Sequence, residues 1–556
     1  MKTLFFLSLA ILLLLSCNQT ETRQTTGRTD SSIDNSGTGR TDDPSGSNDL
    51  PVARDITITP ANAYNQLFLD SNVLESYIVN KKLPDQEAVA LRNFYNPRNF
   101  GYAWFSTDGV TAEAMNFWNA YTYHGMEKEG EKDKALILQM DTLLNATDSM
   151  TIIPADSSWA QSEIALTQKF LKFRQDAGNK HMIAGVPLWQ LLPSRKMDPA
   201  IMADSILQLL PGRTATDTGR NPYHLLRKAL ATWLGMAKSG NWDTLKIKGP
   251  LKKGLSSPIV TGVKKRLQMM GYLPASDTSA RFGDTLETAI KDFQLVHGWK
   301  ADGMITAGVI KDLNTSPTLR LSQLISNMNR MLWLPETLPA NYIQVNIPEF
   351  LLKVHQDTGK SLEMKIIAGD EGTRTMMFAG DLNQVVFSPY WNLPQSIVKK
   401  ETVPAMKRDP GYLKKHNMEI VGKQTDPPVI RQRPGPGNAL GKVKFLFPNS
   451  YDIYLHDTEA KSLFDAKTRA FSHGCIRLQD AEKMANYVLR NDPLWTAEKI
   501  HTAMNSNNEQ VVKLKQTIPV YITYFTCWVD GNGILNFRDD VYGHDKKMAN
   551  KLFPNN

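Results

Sequence analysis

The spacing of apolar residues changes once along this chain, and that change limits what it can fold into. Before about residue 315 the spacing is helical: Leu166, Phe170 and Phe173 fall at i, i+4 and i+7, one face of a helix. From Tyr342 the period is two. Ile343, Val345 and Ile347 alternate with Gln344 and Asn346, and Leu362, Met364 and Ile366 alternate with Glu363 and Lys365. Asp357-Thr358-Gly359 lies between these runs as a turn. Val443/Phe445/Phe447 and Ile453/Leu455 suggest further strands. Residues 521–529 and 534–537 flank Asp530-Gly531-Asn532-Gly533, a hairpin signal. The expected fold class is multidomain α+β, a mainly helical N-terminal part followed by a β-rich part. A length of 556 residues exceeds what one core organises and implies two to four domains.

The chain starts differently. Lys2 precedes a short apolar run, Leu4 to Leu15, too short to span a bilayer comfortably. The run ends in Leu14-Leu15-Ser16-Cys17, which resembles the lipobox of bacterial lipoproteins, although Leu15 replaces the commoner Ala or Thr. The resemblance implies a signal peptide over 1–16 and lipidation of Cys17, with several acyl chains holding the mature protein on a membrane. Asn18, not Asp, follows the cysteine, which by analogy favours the periplasm and the inner face of the outer membrane. Residues 17–56 are Ser, Thr, Gly, Asp and Arg with almost no large apolar residue, so they form a lipid anchor and flexible tether. About forty such residues reach roughly 30–35 Å.

Charge and cysteines narrow the class. The formal charge is +8, but Lys and Arg are scattered with no run of five, and no nucleic-acid-binding motif occurs, so no nucleic-acid partner is expected. Only three cysteines are present, too few for a stapled secreted scaffold. Cys475 and Cys527 are expected as free thiols, since a bond between them would block any nucleophile at Cys475.

Residues 57–250 are expected as a helical scaffold domain. Over 256–315, Val263, Leu267 and Met270 mark one amphipathic helix and Leu286, Ala289, Ile290 and Phe293 a second. With Gly298-Trp299, Asp302-Gly303 and a third helix ending at Leu313-Asn314, this stretch resembles the small three-helix peptidoglycan-binding module of wall enzymes. Thr306 and Val309 stand where that family usually has Gly and Thr. Phe293 and Trp299 read first as core residues and second as a sugar platform.

The chemistry concentrates in Ile453-Tyr454-Leu455-His456-Asp457-Thr458 and Phe471-Ser472-His473-Gly474-Cys475-Ile476-Arg477-Leu478. A thiol becomes a strong nucleophile once an imidazole takes its proton and pairs with the thiolate. A glycine before the nucleophile leaves backbone N–H groups open for an oxyanion, here those of Gly474 and Cys475. Arg477 offers a fixed cation to a carboxylate-bearing substrate. Two histidines and a cysteine are also zinc-ligand types. With one residue between His473 and Cys475 and no fourth ligand in view, no metal and no cofactor are expected.

The pattern resembles the L,D-transpeptidase (YkuD-type) signature, with 475 − 456 = 19 positions between His456 and Cys475. Asn438-Ala439-Leu440-Gly441 resembles that family's Asn-Pro-Leu-Gly, with Ala439 in place of Pro. Pro389-Tyr390-Trp391-Asn392-Leu393-Pro394, Phe537-Arg538-Asp539-Asp540, Phe94-Tyr95 and Ala103-Trp104-Phe105 resemble the large Gram-negative subgroup, which has an N-terminal scaffold domain and an inserted peptidoglycan-binding module. The catalytic domain is then expected over 340–500 and a C-terminal β-hairpin extension over 510–545. The resemblance implies Cys475 as nucleophile, His456 as base and His473 as a weaker catalytic candidate. The Asp457 backbone carbonyl would orient the base, and Arg477, Tyr390 and Trp391 would line the substrate site.

The implied reaction attacks the third residue of a tetrapeptide stem, releases D-alanine, and passes the acyl group to another stem as a 3→3 cross-link. Water or a D-amino acid as acceptor gives carboxypeptidase or exchange activity from the same thioester. Implied partners are stem peptides and glycan, the membrane through the lipid, other wall-synthesis enzymes, and carbapenem-type β-lactams acylating Cys475. A different class, a non-catalytic wall-binding lipoprotein, stays open on sequence alone. Residues 399–433, rich in Lys, Pro and Gly, are expected as a mobile cover over the cleft.

Overall fold

Both periods produce the elements they specify. The computed structural model describes residues 51–124, 134–144, 157–175, 186–209, 221–240, 242–357, 361–422 and 425–554. The expected signal peptide, Cys17, the tether to residue 50, and Thr358 and Gly359 of the turn lie outside the described residues. No described helix is long and apolar enough to cross a membrane.

The longer helices described in the N-terminal body are α1 (Ser71–Asn80), α2 (Asp85–Tyr95), α3 (Ala112–His124), α4 (Lys134–Leu144), α5 (Ser157–Gln175), α6 (Pro199–Gln208) and α7 (Pro222–Ser239). Local chemistry sets their ends. The Asp70 side chain accepts from Asn72 N at the start of α1. Asn221 does the same before α7, where Pro222 presets the first turn and Gly240, at φ 77°, ends the helix in the left-handed region. The α5 face read from sequence is buried, and Phe170 packs edge-on against Trp104 and Phe117 at 5.2 and 5.3 Å. Within this core Glu163 accepts from Ala103 N at 2.7 Å and Trp104 N at 3.0 Å, and burial pushes its carboxyl up to about 7.

Helices α8 (Pro258–Met269), α9 (Asp284–Val296) and α10 (Ala307–Asn314) close around Val263, Leu267, Ile290 and Phe293. Phe293 is core. Trp299 is half-buried, donates to Asp312 Oδ2 at 2.6 Å, and carries Lys467 Nζ 3.1 Å from its ring centroid. Helix α11 (Pro317–Met331) follows, and its Leu321, Leu324, Ile325 and Met328 enter the core of the N-terminal body. This helix occupies the stretch to which the sequence assigned no domain, and it ties the body to the β part.

The β part is a nine-stranded sheet of β1 (Tyr342–Asn346), β2 (Leu351–His355), β3 (Leu362–Gly369), β4 (Phe378–Phe387) and β8 to β12. Strands β5 (Trp391–Asn392), β6 (Met418–Ile420) and β7 (Ile430–Gln432) form a separate small sheet. The others are β8 (Val443–Leu446), β9 (Leu455–His456), β10 (Ala470–Ser472), β11 (Ile476–Leu478) and β12 (Gln510–Thr523). The order is β10-β3-β11-β9-β8-β4-β12-β1-β2, and β2 also pairs with β3, which curls the sheet back on itself. Two helices, α12 (Ala481–Val488) and α13 (Ala497–Met504), pack Met484, Ala485 and Ile500 into its core.

The expected boundary at residue 500 separates parts that the fold joins. Strand β12 lies mid-sheet between β4 and β1, parallel to β1 with Val520 opposite Ile343. Its register shifts between Lys513 and Ile518, which interrupts the alternation that would have marked it in sequence. The following hairpin, β13 (Cys527–Val529) and β14 (Leu535–Phe537), puts Cys527 and Phe537 into the core of the helical body.

Candidate active site

Strands β9 and β11 run parallel, with Leu455 opposite Ile476 and His456 opposite Arg477. Leu455 and Ile476 point into the core of the sheet. Alternation then puts Tyr454, His456, Cys475 and Arg477 together on the other face. Ile476 N donates to Tyr454 O at 3.1 Å, which continues this register so that Tyr454 flanks Cys475. Two adjacent parallel strands therefore bring the thiol and the imidazole to one surface.

The turn carrying Cys475 is held from below. Gly474 has φ 114°, a conformation that side chains disfavour. Its carbonyl accepts from Thr375 Oγ1 at 2.7 Å, and Ser472 Oγ donates to Cys475 O at 2.6 Å. Gly474 N–H donates to Ser472 Oγ at 3.2 Å, so one of the two expected oxyanion donors is engaged within the turn. No hydrogen bond among the described residues occupies the Cys475 N–H.

His456 is buried, and its Nδ1 lies 2.6 Å from the Asp457 carbonyl. A carbonyl only accepts, so Nδ1 carries the proton and Nε2 keeps its lone pair. Burial, then the nearby Arg477 guanidinium, lowers the imidazole from 6.5 to about 4. The ring is neutral at neutral pH. The Asp457 carboxylate does other work: Oδ2 accepts from Lys442 N at 3.0 Å, and Oδ1 takes Lys461 Nζ at 2.8 Å.

Cys475 is a partly exposed free thiol, 3.7 Å from Asp452 O. Burial raises its pKa above the ordinary value, opposed by hydrogen bonds from the Tyr454 backbone and phenol and by Arg477. An imidazolium–thiolate pair is the expectation from sequence; both shifts instead favour neutral resting groups. Arg477 is held slightly below its usual range by burial, and its buried Nε has no partner. Cys527 is also free but fully buried at the scaffold seam, and burial pushes its thiol well up.

The cover is a folded piece. Leu393, Ile397, Val398 and Ile430 form a small core of their own beneath the β5-β7-β6 sheet, with Trp391 packed against it. Tyr390 carries the Arg431 guanidinium 4.2 Å from its ring centroid. Two contacts join the cover to the site. Glu401 Oε1 lies 2.9 Å from His473 Nε2, and Trp391 acts on the Tyr454 phenol beside Cys475, easing the rise that burial gives its pKa. His473 is half exposed and faces the cover, with Glu401 as its hydrogen-bond partner.

Tyr454 was not singled out in sequence, although it stands two residues before His456 and so on the same strand face. Thr375 carried no signal, because its role depends on a contact with Gly474 across 99 positions. Among the described residues no cluster of His, Cys, Asp or Glu suits a metal ion.

Fold and site together place a thiol and an imidazole on one face of a β-rich domain that follows a helical body. Residues 340–499 match the L,D-transpeptidase catalytic domain, YkuD. Residues 256–313 match the family described as "Putative peptidoglycan binding domain", and 89–230 match the Scaffold domain. The chain thus carries a YkuD domain with a peptidoglycan-binding and a scaffold domain before it. A protein of Haemophilus influenzae named "Putative L,D-transpeptidase" is 33% identical over 250 residues, 42% of this chain and 50% of that protein. The chain therefore spans about half the length of the curated relative it matches. Among solved structures, an L,D-transpeptidase of Xylanimonas cellulosilytica aligns at 12% identity and TM-score 0.17, covering 50% of this chain and 99% of that one. One from Stackebrandtia nassauensis aligns at 13% and TM-score 0.19, covering 49% and 94%.

Proposed function

We propose that this protein is an L,D-transpeptidase that forms 3→3 peptidoglycan cross-links through a thioester on Cys475. The observation that supports the reading is the His456 tautomer, with Nδ1–H held by the Asp457 carbonyl, on the same sheet face as the thiol. In the first step Sγ attacks the carbonyl carbon of the third stem residue while Nε2 takes the thiol proton. The Cys475 N–H holds the oxyanion, with Gly474 N–H able to join if it leaves Ser472. The C–N bond to D-alanine then breaks, and its amine takes the proton from His456. An acceptor amine next attacks the thioester, transfers its proton through His456, and expels the sulfur.

Arg477 Nε, buried and unpartnered, is suited to a stem carboxylate. Tyr390 and Trp391 form the wall towards the cover. His473 shapes the site through Glu401 and is not needed for proton transfer. Anchorage through a lipid on Cys17 and residence in the periplasm, at the outer membrane, complete the proposal. So does acylation of Cys475 by carbapenem-type β-lactams.

The test is incubation of purified protein with tetrapeptide muropeptides, read by mass spectrometry. A 3→3 dimer with released D-alanine is expected from the intact protein and none from Cys475→Ala. Tripeptide alone would assign carboxypeptidase activity instead. Equal covalent adducts of a carbapenem on wild type and Cys475→Ala would reject the site.

A further inference from the structure

Between helix α3, the end of α11 and strands β4 and β12 lies a cavity of about 70 Å³, outside the catalytic face. Three nitrogen atoms of its lining residues are buried without a hydrogen-bond partner: Asn116 Nδ2, Arg330 Nη2 and Trp333 Nε1. The guanidinium and the indole can only donate. Arg330 and Trp333 are 6% and 7% exposed, so bulk water does not serve them. Buried donors normally find acceptors, and three unpartnered donors on residues that line one space point to a common one. Much of the remaining lining is apolar or aromatic, including Leu334, Pro335, Phe378 and Phe525. Hydroxyls of Tyr123, Tyr521 and Thr523 lie in the same lining, but they do not give the three donors one shared acceptor. An occupant with one oxygen-rich end and a short apolar body satisfies both sides.

We propose that this cavity binds a small carboxylate, its oxygens on Arg330 Nη2, Trp333 Nε1 and Asn116 Nδ2 and its carbon chain against the aromatic wall. Arg330 is not a free cation, because Nη1 pairs with Asp545 Oδ1 at 2.6 Å. Recognition therefore rests on aimed donors and shape more than on net charge, and millimolar affinity is the expected range. The place matters. The same seam joins scaffold to catalytic sheet through Asn119 Nδ2 to Met377 O at 2.6 Å and Tyr451 OH to Asn119 Oδ1 at 2.8 Å. An occupant bonded to Asn116 on α3 and to α11 would brace that joint.

Ligand-observed NMR on the purified protein, with propionate and then inorganic phosphate, tests the site. Saturable propionate binding is expected, weakened about ten-fold by Trp333→Phe and by Asn116→Leu. Arg477→Gln should leave it unchanged, which separates this site from the catalytic face. Asn116→Leu removes an unpaired donor at similar bulk and should keep the fold, whereas Trp333→Phe also empties space beside Phe117 and Phe170 and costs some stability; if it fails to fold, Asn116→Leu carries the test. A crystal grown in propionate should show the carboxylate on Arg330 Nη2. Equal binding by the folded variants, uptake of phosphate but not propionate, or a cavity holding only water would overturn the proposal.

Discussion

Replacing Gly441 by alanine tests whether the base is positioned through the Asp457 backbone. Gly441 has φ 61°, and a Cβ there would stand 2.5 Å from Asp457 Oδ2 and 2.7 Å from both its Cβ and Cγ. The clash reaches the root of the side chain, so rotating the carboxylate does not relieve it. Asp457 must move, and with it the carbonyl that fixes His456 Nδ1. Gly437, in the same loop at φ 81°, has nothing within 4 Å of its added Cβ. Gly437→Ala therefore costs only the left-handed backbone, about 1 kcal/mol. Gly441→Ala adds about 1–3 kcal/mol of overpacking, for roughly 2–4 kcal/mol in all. Urea denaturation measures those costs. Turnover of a tetrapeptide stem should fall by about 100-fold in Gly441→Ala, the scale of a misplacement near 1 Å, while Gly437→Ala retains near-normal turnover. If the folded fraction of Gly441→Ala turns over at the wild-type rate, the Asp457 carbonyl does not set the base.

Three further outcomes follow from the same geometry. Glu401→Gln breaks a pair whose members are half exposed, so limited proteolysis within 399–433 should barely change; Val398→Ala, in the fully buried cover core, should speed cleavage there several-fold. Glu163 keeps its proton to about pH 7 in the fold and loses it from 4.5 when unfolded, so stability falls as pH rises between them, by roughly 3 kcal/mol in total. Glu163→Gln should flatten that slope in denaturation curves, and an unchanged slope would show that the carboxyl titrates normally. His456, neutral down to about 4, and Cys475, raised above 9.0, should give a rate plateau from about pH 5 to 8 for stem turnover; a steep rise between 5 and 7 would instead indicate an ion pair.

The sequence exposed the chemistry better than the architecture, and particular residues show why. Ser472-His473-Gly474-Cys475 is a local device: the Ser472 hydroxyl, the Gly474 conformation and the Cys475 carbonyl act within four positions, so their spacing is visible in the chain. The alternation at Ile343 and Val345 marked β1 for a similar reason, since one face of the strand is core. Strand β12 was assigned to an extension, because its place depends on pairing with β1 across 177 positions, 520 − 343, and its own alternation breaks at the bulge. Residues 399–433 looked mobile from their Lys, Pro and Gly content. The described part of this stretch packs on a few apolar residues, among them Val398 and Ile430, which lie 32 positions apart, 430 − 398, and meet only in the fold.

The protonation states bind these parts into one device. A thiolate waiting beside an imidazolium would be reactive towards any electrophile, whereas a neutral pair acts only when a carbonyl arrives to accept the sulfur. Burial imposes neutrality on both partners, and Arg477 biases them in opposite ways, disfavouring imidazolium and favouring thiolate. On the proposed mechanism, attack then moves the proton and forms the S–C bond together, which requires Nε2 to be aimed beforehand. That requirement explains why the imidazole is held by a backbone carbonyl, and why the Asp457 side chain is spent on Lys442 and Lys461.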